Sequence, residues 1–291
     1  MRERFRLYAL NELFNAELYA RLAAGERNES NRRLLEELAK VERSHYGFWS
    51  SLAGEGVELG LRERLRLAAL LAASRVLGRT FIIKLLEGHE ASTAEEYERA
   101  KEALEGEELE RLKGIIEDER RHELELASRL DEVVVRQLGS IALGVSDAII
   151  ELTGVLLGFV GYAASPTQVA VAGLIVGVSA ALSMAAAAYA QAKHEKGKSP
   201  AATAAFTGSF YMLTVLLLVL PLLAGLQVPV AVALSMATAL ALLSALSFYG
   251  SVLMERRFAR EFAESALVVF AVALAGYAIG ALARGLTGVA G

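Results

Sequence analysis

The 291-residue chain contains no cysteine. Disulfide bridges and thiolate metal sites are therefore excluded, and any metal held here must be held through oxygen and nitrogen. Histidine and proline are scarce, four of each, and there is a single tryptophan. With so few helix breakers, long helices are permitted over most of the chain. Charge is missing from one half. Seven Lys/Arg and six Asp/Glu follow position 137, which leaves 23 of the 30 basic and 28 of the 34 acidic residues ahead of it. The chain is an acidic, water-compatible half joined to an apolar half. A net acidic soluble half offers nucleic acid no attractive field, and no such partner is expected.

The apolar half holds five runs, at about 138–163, 167–192, 200–224, 228–253 and 262–283. Each exceeds the ~20 residues a spanning helix needs. Pro166, Pro200, Pro229 and small clusters of charge separate them, as helix ends require. An integral membrane protein is expected, with the bilayer of the cell membrane as its setting. The opening residues, MRERFRLYALNE, are charged and amphipathic and do not read as an apolar leader. Arg136, the turn KHEKGK at 193–198 and the turn ERRFAR at 255–260 fall on one side, while the turns near 164–166 and 225–227 carry no Lys or Arg. The positive-inside rule then places residues 1–135 in the cytosol and, after an odd number of spans, the C-terminus outside.

Ahead of the spans, apolar residues recur at intervals of three and four: Leu7, Leu10, Phe14 and Leu18, then Leu34, Leu35, Leu38 and Val41. That period predicts helices over 3–25, 28–53, 61–90 and 106–135. Gly25, the segment Gly54 to Gly60 and the segment 91–106 supply the breaks, with Ser92-x-x-Glu95 reading as a capping box for a short extra helix. The expected fold is all-α: a four-helix bundle over 1–135 followed by a five-helix membrane domain over 136–291.

Two short motifs carry chemistry. EDERRHE at 117–123 contains Glu119-x-x-His122, and VERSHY at 41–46 contains Glu42-x-x-His45. A carboxylate and an imidazole three apart share a helical face. Bundles that hold two metal ions use two such pairs plus one Glu from each remaining helix. One lone Glu-x-x-His on a charged helix is ordinarily solvated surface; its repetition on alternate helices argues against that reading. The first helix offers Glu17, in NAELYARL, and the third offers Glu87 or Glu90, in LLEGHEAS. His89 reads as an exposed neighbour, and Tyr19, Tyr46 and Trp49 as core. The mixed Glu/His set suits Fe(II) or Mn(II). On these motifs residues 1–135 resemble the rubrerythrin-type branch of the ferritin-like superfamily, whose third-helix Glu-x-x-Glu is matched by Glu87-Gly88-His89-Glu90. The resemblance implies a carboxylate-bridged di-iron site that binds Fe(II) and often oxidises it.

The first apolar run contains GVSDAIIELTG, with Asp147 and Glu151 four apart and so on one face. An ionisable residue at such depth costs at least ~2.5 kcal/mol on insertion scales, so the pair is expected to line a path or a bundle interior. Met184, in ALSMAAAAYAQ, offers a thioether as a weak ligand, and Tyr277 stands in AGYAIGAL. The Gly144-x-x-Asp147, Ser183-Met184-Ala185, PLLAG at 221–225 and Tyr277-x-x-Gly280 motifs resemble the vacuolar iron transporter family. That likeness implies five spans that form a homodimer, a metal path along the dimer interface lined by Asp147, Met184 and Tyr277, and Fe(II) leaving the cytosol in exchange for protons. Two departures are plain: Ala188 stands where the family often has Glu, and only KHEKGKSP joins the second and third spans. The combination resembles the membrane-bound ferritin group. The function expected is proton-coupled export of Fe(II) or Mn(II), with a di-iron bundle that collects or senses the metal. The alternative is a membrane-anchored di-iron ferroxidase or peroxidase.

Overall fold

The computed structural model describes the backbone of residues 1–129, 133–254 and 256–288, and the side chains of these residues outside 87–95 and 120–136. The fold is all-α, and the chain divides into two compact units, Met1–Val135 and Arg136–Gly291.

The first unit contains α1 (Arg2–Ala24), α2 (Glu29–Ala53), α3 (Leu61–Leu77), α4 (Arg79–Ala100) and α5 (Gly106–Arg129). Asn28 starts α2 by accepting from the backbone N–H groups of Ser30 and Asn31, and Gly54 ends it at φ 80°. Tyr46 fastens the following loop, donating to the Val57 carbonyl at 3.0 Å and accepting from its N–H at 3.2 Å. The helix expected over 61–90 is broken at Gly78, whose φ of 90° and ψ of 152° only glycine adopts without strain. The break expected over 91–106 shrinks correspondingly: α4 runs on to Ala100, and no separate helix opens at Ser92.

The buried side of α1 is broader than expected. Phe14 and Leu18 are buried and Leu10 half-buried, as the leucine spacing requires, but Leu7 is exposed, and Phe5, Tyr8, Ala9, Glu12, Ala16, Tyr19, Leu22 and Ala23 are buried as well. Part of this side meets an aromatic stack at the centre of the unit. Trp49 is fully buried, with ring centroids 4.8 Å from both Tyr8 and Tyr97 and 5.0 Å from Phe48. Leu112, Ile115 and Ile116 of α5 close the cluster. Truncating so large a buried ring typically costs 3–5 kcal/mol, so this stack holds α1, α2, α4 and α5 in register.

The second unit consists of α6 (Val133–Gly161), α7 (Pro166–Ala192), α8 (Pro200–Leu223), α9 (Val228–Met254) and α10 (Phe258–Thr287). Their apolar windows, with mean hydropathies from 1.8 to 2.3, are long enough to cross a bilayer, and the chain is an integral membrane protein. Ser165 caps α7 in a reciprocal box with Gln168, immediately before Pro166. Ser199 caps α8 just ahead of Pro200 by accepting from the Ala202 N–H alone.

Glycine sets the helix spacing. A Cβ on Gly276 or Gly280 of α10 would run into the backbone of Gly154 or Gly158 on α6. Gly173 and Gly177 of α7 likewise receive Val219 and Val215 of α8, and Gly144 of α6 meets the backbone of Thr207 on α8. Among lipid chains there is no hydrophobic drive for helices to associate, so backbone approach of this kind is what holds them together.

Candidate metal centre and intramembrane carboxylates

In the first unit the inward stripes of three helices converge on polar atoms. Glu12 follows Tyr8 and Ala9 on α1, Glu42 and His45 follow Leu35 and Leu38 on α2, and Glu119 follows Ile115 and Ile116 on α5. One ligand atom from each of Glu12, Glu42, His45 and Glu119 lies within 4.8 Å of all the others. His45 Nδ1 is 2.9 Å from Glu119 Oε1 and 3.8 Å from Glu12 Oε2, while Nε2 is 3.8 Å from Asp118 Oδ2. Tyr97 of α4 donates its phenol to Glu12 Oε1.

The electrostatics are those of a site short of positive charge. Burial raises the Glu12 pKa, and the Glu119 charge adds to the rise, against the lowering influence of hydrogen bonds from Glu42 and Tyr97 and of the His45 charge. Burial is the largest influence on His45 and lowers its pKa, but the bond to Glu119 and the charges of Glu12, Glu119 and Asp118 together outweigh it and leave the value raised. Tyr97 is pushed well above the ordinary phenol value, first by burial and then by the Glu12 and Glu119 charges. Three carboxylates gathered out of water are costly unless protons or cations neutralise them.

The donor set fits a metal ion. Two donors on one ion with bonds of about 2.1 Å can stand at most about 4.2 Å apart, so a set within 4.8 Å needs only small side-chain adjustments to close. Carboxylates with one imidazole and no thiolate suit a hard to borderline divalent cation of the Fe(II) or Mn(II) kind.

Of the residues expected from the sequence, Glu42, His45 and Glu119 meet at this point. Glu87, Glu90 and His122, the remaining expected donors, lie outside the described side chains. Glu17 is not in the cluster. It faces Arg43 at 2.9 Å and Arg21 at 3.6 Å on the outer side of α1, a solvated ion pair that leaves no carboxylate oxygen pointing inward. Its place is taken by Glu12, which sequence reasoning missed. The signal was present: Glu12 continues the Phe5, Tyr8, Ala16, Tyr19 spacing, the one carboxylate on an otherwise small and aromatic stripe.

In the second unit Asp147 and Glu151 are half-buried on α6. Tyr211 of α8, fully buried, donates its phenol to Glu151 Oε2. Further polar groups mark the same α6–α8 joint. Gln137 accepts from Ser140 at 3.2 Å and from Thr203 at 3.3 Å, and the Thr207 hydroxyl is buried with no hydrogen-bond partner among the described residues. Thr203, Thr207, Tyr211 and Thr214 repeat every three or four residues along α8, a pattern readable in the sequence. Met184 is half-buried on α7. Tyr277 is exposed on α10 and meets α6 through its backbone at Gly161, 14 residues and so about 21 Å along the helix from Asp147.

Residues 138–198 match the VIT family. The matched stretch spans α6, α7 and the turn that follows, and so includes Asp147, Glu151 and Met184. No curated protein and no solved structure matches the chain. The match covers 61 of the 291 residues and lies within a unit whose five helices are each long and apolar enough to cross a membrane.

Proposed function

We propose that the chain carries Fe(II) or Mn(II) out of the cytosol in exchange for protons, as a homodimer whose cytosolic bundle collects or senses the metal. The observation that carries this reading is the carboxylate pair Asp147 and Glu151 inside the stretch that matches the VIT family. A divalent cation leaving against an inside-negative potential needs ~4.6 kcal/mol per 100 mV, and protons moving inward on the same carboxylates can supply it. Loading a cation on Asp147 and Glu151 expels protons, and releasing it lets them return. Met184 and Tyr277 remain proposed path residues by the family likeness.

The bundle would hold its metal through Glu12, Glu42, His45 and Glu119, with Glu87, Glu90 and His122 proposed for a second ion. A bound pair of ions would supply Lewis acidity and, for iron, access to two oxidation states. The chain's own residues exclude water and bear on the protons: Tyr97 steadies Glu12, and because the pKa values of Glu12 and His45 are raised, any proton either one holds would have to leave as metal enters. The burial of this cluster also favours a second reading, in which the bundle is a di-iron ferroxidase or peroxidase and the spans are its anchor.

Purified protein in liposomes with an imposed pH gradient separates the two. Wild type should move Fe(II) or Mn(II) with the gradient. Asp147→Asn, which keeps an oxygen ligand but exchanges no proton, should bind metal and lose the pH-driven flux. Wild-type flux in Asp147→Asn removes the exchange mechanism, and iron oxidation without flux in wild type establishes the anchored oxidase. Orientation is testable in this cysteine-free chain. An impermeant maleimide added to intact cells should label Ser165→Cys and leave Ser199→Cys unlabelled; the reverse pattern inverts the topology.

A further inference from the structure

Helix α3 carries a second apolar face that points outward. Its inward face is narrow, with Leu67 and Ser74 as its buried residues. Six apolar side chains instead face water: Leu61, Leu65, Ala68, Ala69, Ala72 and Val76. At 100° per residue these fall within one outward sector, and the large ones are open, Leu61 at 76%, Leu65 at 62% and Val76 at 81% exposure. Arginines border the stripe on both sides, Arg62 and Arg66 along one edge and Arg64 and Arg75 along the other, all exposed.

The charge is local to this helix. Four arginines and one glutamate lie within Leu61–Leu77, while the rest of the first 137 residues hold 19 basic and 27 acidic side chains. The remainder is acidic in sum and is repelled by an anionic surface; α3, at net +3, is the most positive helix of this unit. We propose that α3 is a membrane-surface helix, which lays its apolar stripe into the boundary layer of an anionic phospholipid leaflet while the flanking arginines reach the headgroup phosphates. An apolar stripe edged by long cationic side chains is the arrangement that lies in a bilayer interface. The five spans of the same chain keep it beside a bilayer, so the encounter costs little translational freedom.

A second copy of the chain fits the face less well. Two α3 stripes set against one another bring the arginine edges of both together, with no outward acid to pair with them, since Glu63 lies on the inward half of the helix. The inference rests only on the chain being an integral membrane protein, not on its carrying a metal, so its failure and that of the transport reading are separable.

The test uses the full-length protein, which has no native cysteine, in nanodiscs of phosphatidylcholine alone or mixed with phosphatidylglycerol. An environment-sensitive probe is attached at Leu65→Cys, at Ala72→Cys, or at Ser51→Cys on the exposed side of α2 as the reference. With brominated phosphatidylglycerol, probes at 65 and 72 should shift to the blue and be quenched, and the probe at 51 should not. Replacing Arg62 and Arg66 by Gln should lower the ratio of docked to undocked probe about fivefold per arginine, and raised salt should act in the same direction. Probes at 65 and 72 that stay as water-exposed as that at 51 overturn the proposal. An equal blue shift of the probes at 65 and 72 in discs of phosphatidylcholine alone overturns the anionic assignment, and cross-linking of Leu65→Cys to its counterpart without lipid quenching gives the face to a second copy.

Discussion

Glu12→Gln separates the stability of the bundle from its affinity for metal. With ligand atoms within 4.8 Å of one another, each pair of like charges in the cluster repels by about 3 kcal/mol at an effective dielectric of about 20. An ionised Glu12 meets two such repulsions, from Glu42 and Glu119, and one attraction of similar size from a charged His45. The substitution therefore relieves the metal-free protein by on the order of 3 kcal/mol, while glutamine still accepts the Tyr97 hydroxyl. The pH dependence follows from the direction of the shift. Glu12 has a folded-state pKa above its unfolded value, so its contribution to stability is fully present below the ordinary carboxylate range and is lost as pH rises through the raised value. His45, also raised, loses its contribution in the same direction at higher pH.

Trp49 is the chain's one tryptophan and is buried in the bundle, so its fluorescence reports this unit alone in the intact protein. Near neutral pH and without metal, Glu12→Gln should melt about 10 °C above wild type, at about 3 °C per kcal/mol for a unit of this size. The gap should close as pH falls into the carboxylate range. Added Fe(II) or Mn(II) should raise the wild-type midpoint and do much less for Glu12→Gln, whereas Glu17→Gln should respond to metal as wild type does. A metal-free Glu12→Gln that melts no higher than wild type near neutral pH, or a gap that does not depend on pH, refutes the reasoning.

Two further outcomes follow from the membrane unit. Gly280→Leu should push α10 off the Gly158 backbone of α6, and the protein should lose its monodisperse elution in mild detergent, while Gly285→Leu, where a Cβ meets nothing, should not. Tyr211→Phe keeps the buried ring but removes the donor to Glu151, and should lower stability by about 1–3 kcal/mol in an SDS-unfolding titration followed by circular dichroism; an unchanged midpoint would show that the Glu151 carboxylate does not depend on this bond.

Several features of this protein are local, and its sequence determined them unaided. Hydropathy set the five spans, because lipid accepts backbone only when its hydrogen bonds are satisfied within the helix, and any apolar run of that length meets the condition wherever it occurs. Period and spacing determined that Glu42 and His45 share a face, and proline with serine determined where α7 and α8 begin. Tertiary structure decided which face of each helix turned inward. On α1 the buried side takes in Phe14 and Leu18 of the leucine stripe together with Tyr8, Ala9 and Ala16, and only the packing of Tyr8 against Trp49 extended it far enough to bring Glu12 to the Glu42–His45–Glu119 cluster while Glu17 was left to Arg43. On α3 hydropathy did not single out one face: Leu67 turned inward with Leu70 and Leu71 half-buried, while Leu61 and Leu65 were left outside. Tyr211 reached Glu151 across 60 residues of sequence because Gly144 let α8 come against α6. Such choices depend on what stands opposite a helix, and periodicity within one helix carries no information about its neighbour.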